Sequence, residues 1–157
     1  MDILLISNED MCRTRIAQEL INSFGRGMKI FTAGIAEGNC VPDVVSEVMH
    51  EHGYEISKKK PSPLSMYIDK EWDCIITLST DAAKEISSVI IKSNNIYKLN
   101  FEDALSDMGL SEDEIKNQVS ALYEDMYHDL YEFYRDTLSD FLRPRCSCGA
   151  NDYCRCE

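Results

Sequence analysis

Ile3, Leu4, Leu5 and Ile6 follow one another without polar alternation, the pattern of a strand buried on both faces. From about Thr14 the period changes. Ile16, Ala17, Leu20, Ile21 and Phe24 recur at helical spacing, and Gly25 supplies a C-terminal stop. A second short strand is predicted over Met28 to Thr32, ending at Ala33-Gly34. Pro42 opens a helix whose apolar face is Val44, Val45, Val48 and Met49, and Gly53 ends it. Residues 57–66, with Pro61 and Pro63, are a connection with room for one helical turn. Cys74 to Leu78 predicts a third buried strand, and Asp81 to Ile86 begins a short helix. Asn95 to Leu99 is a weaker fourth strand, followed by the acidic turn Asn100-Phe101-Glu102-Asp103. Ser111 and Glu114 form a capping box for the last helix. Its stripe is Ile115, Val119, Leu122, Met126, Leu130, Phe133 and Phe141, with Tyr123, Tyr127, Tyr131 and Tyr134 at the edges. It ends before Pro144.

Strands alternating with helices predict parallel strands joined by right-handed crossovers. The expected architecture is a single α/β domain over residues 1–142, with a four-stranded parallel sheet and helices on both faces. Residues 143–157 form a separate Cys-rich tail. Sheets of this kind bind ligands beyond the carboxyl ends of their strands, near the switch in strand order. That rule brings Ser7, Ser79 and Asp103 to one edge. After Ser7 the chain runs through a tight polar loop into a helix start, where unpaired N–H groups cradle oxyanions. The backbone of Asn8, Glu9, Asp10, Met11, Cys12 and Arg13 supplies donors, and the helix dipole adds partial positive charge. Arg13 can bind two oxygens in a fork.

Composition narrows the function classes. A net charge of −12 argues against generic nucleic-acid or anionic-membrane binding. No apolar run approaches the ~20 residues of a membrane span. No secretory signal opens the chain, so a cytoplasmic location is expected. The seven cysteines are an odd number. Cys12, Cys40 and Cys74 lie in the body, which reads as a reduced domain rather than a disulfide framework. Cys146, Cys148, Cys154 and Cys156 crowd the tail as two C-x-C pairs. They suit tetrahedral zinc or copper(I), two disulfides, or a free tail. Lys58-Lys59-Lys60 is either a solvated loop or an attractor of anionic ligands. His50, His52 and His128 read as surface or cap residues. The sequence leaves the oligomeric state open.

The run from the first strand through position 7 to Arg13-Thr14 resembles the Cys-x5-Arg-Ser/Thr phosphate loop of low-molecular-weight protein tyrosine phosphatases and thioredoxin-coupled arsenate reductases. Phe31-Thr32-Ala33-Gly34-Ile35 is similar to that family's second-strand ending. Val41-Pro42 through Gly53-Tyr54-Glu55-Ile56-Ser57 is similar in order to its second helix. Ile75 to Ala83 resembles the arsenate reductase branch, and Phe101-Glu102-Asp103-Ala104 the Asp-Pro loop. The resemblance covers residues 2–142. It implies the phosphotyrosine phosphatase I-like fold, no required cofactor beyond any zinc on the tail, and phosphate or a phosphorylated ligand as partner. It further implies that Ser7 occupies the nucleophile position, Arg13 and the loop bind the anion, Asp103 is the general acid, and Thr14 hydrogen-bonds the residue-7 side chain.

The departures set the functional expectation. A loop thiol attacks as thiolate, whereas a serine hydroxyl stays protonated and needs a base. Cys12 sits at the wrong end of the loop for in-line attack. The arsenate reductases' later redox cysteines fall on Ser79 and near Ile86, so their disulfide relay is absent, which argues against arsenate reduction. Glu9 replaces glycine and Asp10 replaces asparagine. Either carboxylate, if aimed at a bound dianion ~4 Å away, costs on the order of 4 kcal/mol before screening at a dielectric near 20; otherwise it points to water. Asp103 is either the general acid or a turn aspartate, and Ala104 replaces the following proline. The expected function is oxyanion binding with little or no turnover. The alternatives are an active phosphomonoester hydrolase with an engineered or unusual nucleophile, and a metal- or partner-binding module built on the tail. Several departures together favour natural degeneration over an engineered Ser7.

Overall fold

The computed structural model describes residues 1–57, 59–105 and 109–142. In chain order the elements begin with β1 (Asp2–Ser7), α1 (Arg13–Phe24), β2 (Lys29–Gly34) and α2 (Asp43–Glu51), then a 3-10 turn at Leu64–Met66. Next come β3 (Glu71–Trp72), β4 (Cys74–Thr77), α3 (Thr80–Ser88), β5 (Lys92–Ser93) and β6 (Ile96–Lys98). The long α4 (Glu112–Phe133) continues through a π turn (Tyr134–Leu138) into α5 (Ser139–Leu142). The tail with Cys146, Cys148, Cys154 and Cys156, the helix end expected before Pro144, and Lys58 lie outside the described residues.

The main sheet has the order β2-β1-β4-β6, all parallel, so the four expected strands form one layer. The apolar run in β1 is explained by what covers it. Ile3 and Leu5 join a core with residues of α1, α2 and α4. Leu4 and Ile6 face the opposite side and meet Leu64, Trp72, and Ala82 and Ile86 of α3. All four side chains are fully buried, each worth roughly 1.5–3 kcal/mol. Helices therefore cover both faces.

Three details differ from the expected layout. A second sheet pairs β3 with β5, two residues in each, too short for a periodic signal. The last helix is interrupted by the π turn, whose wider winding shifts the helical phase. Leu138 is consequently fully buried, while Phe141, expected on the apolar stripe, is 46% exposed. Tyr123 is buried and Tyr127 and Tyr131 are partly exposed, as edge positions should be. The Ser111 cap forms as expected, its hydroxyl accepting from the Glu114 N–H at 3.3 Å. Gly53, just beyond α2, has φ +87°, a conformation that costs glycine nothing.

Candidate active site

The carboxyl ends of β1, β4 and β6 meet at one edge, as the strand order requires. Backbone hydrogen bonds fix that edge: Leu78 N–H donates to Ile6 O at 2.8 Å, and Phe101 N–H to Leu78 O at 3.0 Å. A cavity of about 370 Å³ opens there, lined by Asn8, Arg13, Ser79, Asp81, Glu102 and Asp103 among others. Arg13 and Asp103 also border a small crevice with Glu9, Met11 and Cys12. Ser7, Asp10 and Thr14 are buried and line neither space.

The loop interior differs from the expected cradle at three points, at Ser7, Thr14 and Asp10. The Ser7 hydroxyl donates to the Glu9 carbonyl at 2.6 Å. A carbonyl oxygen, partially negative, therefore faces the Ser7 side chain. Thr14 does not bond Ser7 either. Its hydroxyl donates to Asp10 Oδ1 at 2.7 Å, because a buried carboxylate is the stronger acceptor. Arg13 is only 6% exposed, and its Nη1 donates to Phe101 O at 2.9 Å, which anchors the guanidinium at the cavity wall.

Asp10 points neither into the cavity nor to water. It is fully buried and faces the equally buried Arg15, with Nε to Oδ1 at 3.2 Å and Nη2 to Oδ2 at 3.2 Å. The Ser62 N–H donates to Asp10 Oδ2 at 2.9 Å. Arg15 also donates to the carbonyls of Lys59 at 2.9 Å and Lys60 at 3.3 Å. This network ties the loop to the proline-containing connection. Among the described residues no non-glycine has a positive φ, so neither Glu9 nor Asp10 needs the left-handed conformation. Gly34, at the end of β2, packs against the same loop. A Cβ there would lie 2.7 Å from Asp10 N and 3.0 Å from Glu9 Cα.

Cys12 offers no substitute nucleophile. Burial, reinforced by the Asp103 charge and only partly opposed by Arg13, pushes its thiol up to about 12. Asp103 accepts the Leu105 N–H at 3.0 Å while lining the cavity, so the turn contact and the site position coexist. Ser79 caps α3 by accepting from Ala82 N–H at 3.2 Å, and its hydroxyl donates to Asn8 Oδ1 at 2.7 Å. Asn8 Nδ2 in turn donates to Asp81 Oδ2 at 3.0 Å. Asp81, Arg15 and Ser62 had not been singled out from the sequence. Arg15 carried a signal: a second arginine in the first helical turn, beside an aspartate in the loop before it. Ser62 carried none, because its contact is a backbone N–H contributed from 52 residues away. Among the described residues no cluster of side chains suits a metal ion, and no helix is long and apolar enough to cross a membrane.

Comparison with known proteins agrees with this layout. The chain resembles an arsenate reductase from Archaeoglobus fulgidus at 17% identity and TM-score 0.60, covering 82% of this chain and 98% of that one. Vibrio vulnificus Wzb, solved with benzylphosphonate, is similar at 14% identity and TM-score 0.67, covering 85% and 97%. A variant of the YwlE arginine phosphatase with serine for cysteine and a phosphorylated active-site serine is similar at 19% identity and TM-score 0.60, covering 88% and 99%. These identities establish a shared fold. No curated protein matches the chain. The sequence profile described as low molecular weight phosphotyrosine protein phosphatase matches residues 2–130, and the chain belongs to that family.

Proposed function

We propose that the protein binds phosphate or a phosphorylated ligand at the Arg13 cavity with little or no turnover. The observation that carries this is an anchored, buried arginine at the mouth of a loop whose nucleophile position holds a serine. The Ser7 hydroxyl donates to a backbone carbonyl, which cannot accept its proton as a base. Cys12, its thiol pushed up to about 12, stays protonated at neutral pH. No cofactor is needed for this function. The free thiols of Cys12, Cys40 and Cys74 fit a reducing, cytoplasmic setting.

An aryl phosphate assay on wild type, Ser7→Cys and Arg13→Ala, run beside calorimetric phosphate binding, tests the proposal. Wild type should bind phosphate and release no phenol. Arg13→Ala should weaken binding by about 10- to 100-fold, the worth of one charge-assisted contact. Ser7→Cys should recover little turnover, because a thiolate there faces the Glu9 carbonyl. Wild-type hydrolysis that Arg13→Ala abolishes overturns the proposal.

A second reading has a specific support, the phosphorylated serine recorded in the YwlE variant. In it, Ser7 Oγ attacks phosphorus, the bond to the aryl oxygen breaks, and the hydroxyl proton passes to that leaving oxygen by way of Asp103. Phosphoserine then remains. Intact-mass analysis after incubation with an aryl phosphate decides it: a single added phosphoryl group mapped to Ser7 supports it, and unchanged mass removes it.

A further inference from the structure

We infer that the phosphorylated ligand carries positive charge beside its phosphoryl group, as a phosphopeptide with lysine or arginine flanking the phosphorylated residue does. This rests on the oxyanion-binding function proposed above and names the ligand class for the same site. Among the described residues lining the 370 Å³ cavity, Arg13 is the sole cation, against the carboxylates of Asp81, Glu102 and Asp103. The guanidinium therefore stands among three carboxylates in that lining.

The segment 100–103 is also one wall of a second, larger cavity of about 550 Å³, which ends against α4. There Glu102 and Asp103 are joined by Asp125 and Asp129, with no lysine, arginine or histidine among the described lining residues. Phe101, Ala121 and Leu122 supply apolar surface. Acidic groups over an apolar floor suit the stem and head of a lysine or arginine. A buried arginine lines the first cavity, and an acidic space bounded by α4 shares its wall. A peptide advancing ~3.3–3.6 Å per residue reaches over that wall within a few residues of the phosphate.

Fluorescence anisotropy with three phosphotyrosine peptides, identical except for Lys, Gln or Glu flanks, tests the inference. An unphosphorylated Lys-flanked peptide is the control. The Lys-flanked phosphopeptide should bind about 10-fold or more tighter than the Glu-flanked one, as two modest ion pairs give. The preference should shrink in the Asp125→Asn/Asp129→Asn double variant, while calorimetric binding of inorganic phosphate stays unchanged. Equal affinities, a reversed order, an undiminished preference in the double variant, or equal binding of the unphosphorylated control overturns the inference. If inorganic phosphate binds through Arg13 but the peptides show no ranking, only the ligand class is wrong. If inorganic phosphate does not bind, the proposed function fails and takes this inference with it.

Discussion

Replacing Asp10 with alanine removes the only carboxylate paired with Arg15 among the described residues, in a place where neither side chain meets water. Breaking a buried ion pair from one side typically costs about 3–5 kcal/mol, because the remaining charge stays buried without its counterion. Two features of the site set the figure within that range. Arg15 keeps the Lys59 and Lys60 carbonyls as acceptors, which favours the lower end. The Ser62 N–H and Thr14 hydroxyl lose their acceptor at the same time, which raises the cost again. A loss of about 4 kcal/mol is expected, a fall in melting temperature of roughly 8–16 °C for a chain of this size. Urea denaturation of Asp10→Ala, Asp10→Asn, Arg15→Met and the Asp10→Ala/Arg15→Met pair measures it. Asp10→Asn keeps an acceptor for Ser62 and Thr14 and should lie between wild type and Asp10→Ala. The double variant should be more stable than the sum of the single losses predicts, since it leaves no lone charge. An Asp10→Ala loss below about 1 kcal/mol, the value of an exposed pair, would refute the assignment of a buried network.

Gly34→Ala should cost about 1–3 kcal/mol by overpacking, because its Cβ would meet loop backbone rather than a flexible side-chain end; a urea midpoint equal to wild type would show that the loop yields. Peptide mapping after alkylation at pH 8 should find Cys40, which is exposed, modified and Cys12 and Cys74 unmodified, since burial pushes both of the latter up to about 12. The same shifts make stability fall above pH 9. The unfolded thiols ionise from their ordinary value of 9.0 while the folded ones keep their protons, so each costs about 1.4 kcal/mol per pH unit up to about pH 12. Denaturation midpoints between pH 8 and 11 that do not change would contradict the burial of both thiols.

Most of the layered fold was legible because β1 and β4 are buried on both faces and α1, α2 and α4 on one, so their periods are strong. The π turn was not legible, because the residues from Tyr134 to Leu138 form an acceptable α-helical sequence. The β3–β5 pair is too short to carry a pattern. At the site, the meeting of the Ser7, Ser79 and Asp103 segments at one edge followed from strand order, and Arg13 from the helix start after Ser7. The bonding inside the loop did not. Whether Thr14 turns to Ser7 or to Asp10 depends on Arg15 burying the aspartate, and on Ser62 arriving from a distant segment to share it. Such choices lie in long-range packing, which spacing along the chain does not encode.

The departures from the family motif are matched to one another. Asp10, an acid where an asparagine is usual, lies against Arg15, which neutralises it inside the protein. Ser7, a neutral donor where a thiolate is usual, points at the Glu9 carbonyl. A thiolate could not take that place, since its charge would face a carbonyl oxygen with no proton between them. On the proposed function, the loop is one that has settled around Ser7. The discriminating variant is Ser7→Ala. Losing a buried hydrogen bond to Glu9 should cost about 1 kcal/mol or more, whereas in a loop built for a thiolate the serine would be a tolerated substitute and its removal close to neutral. Denaturation of Ser7→Ala beside Ser7→Cys separates the two: if both variants match wild type in stability, the hydroxyl holds nothing in place, and the case for a resettled loop falls.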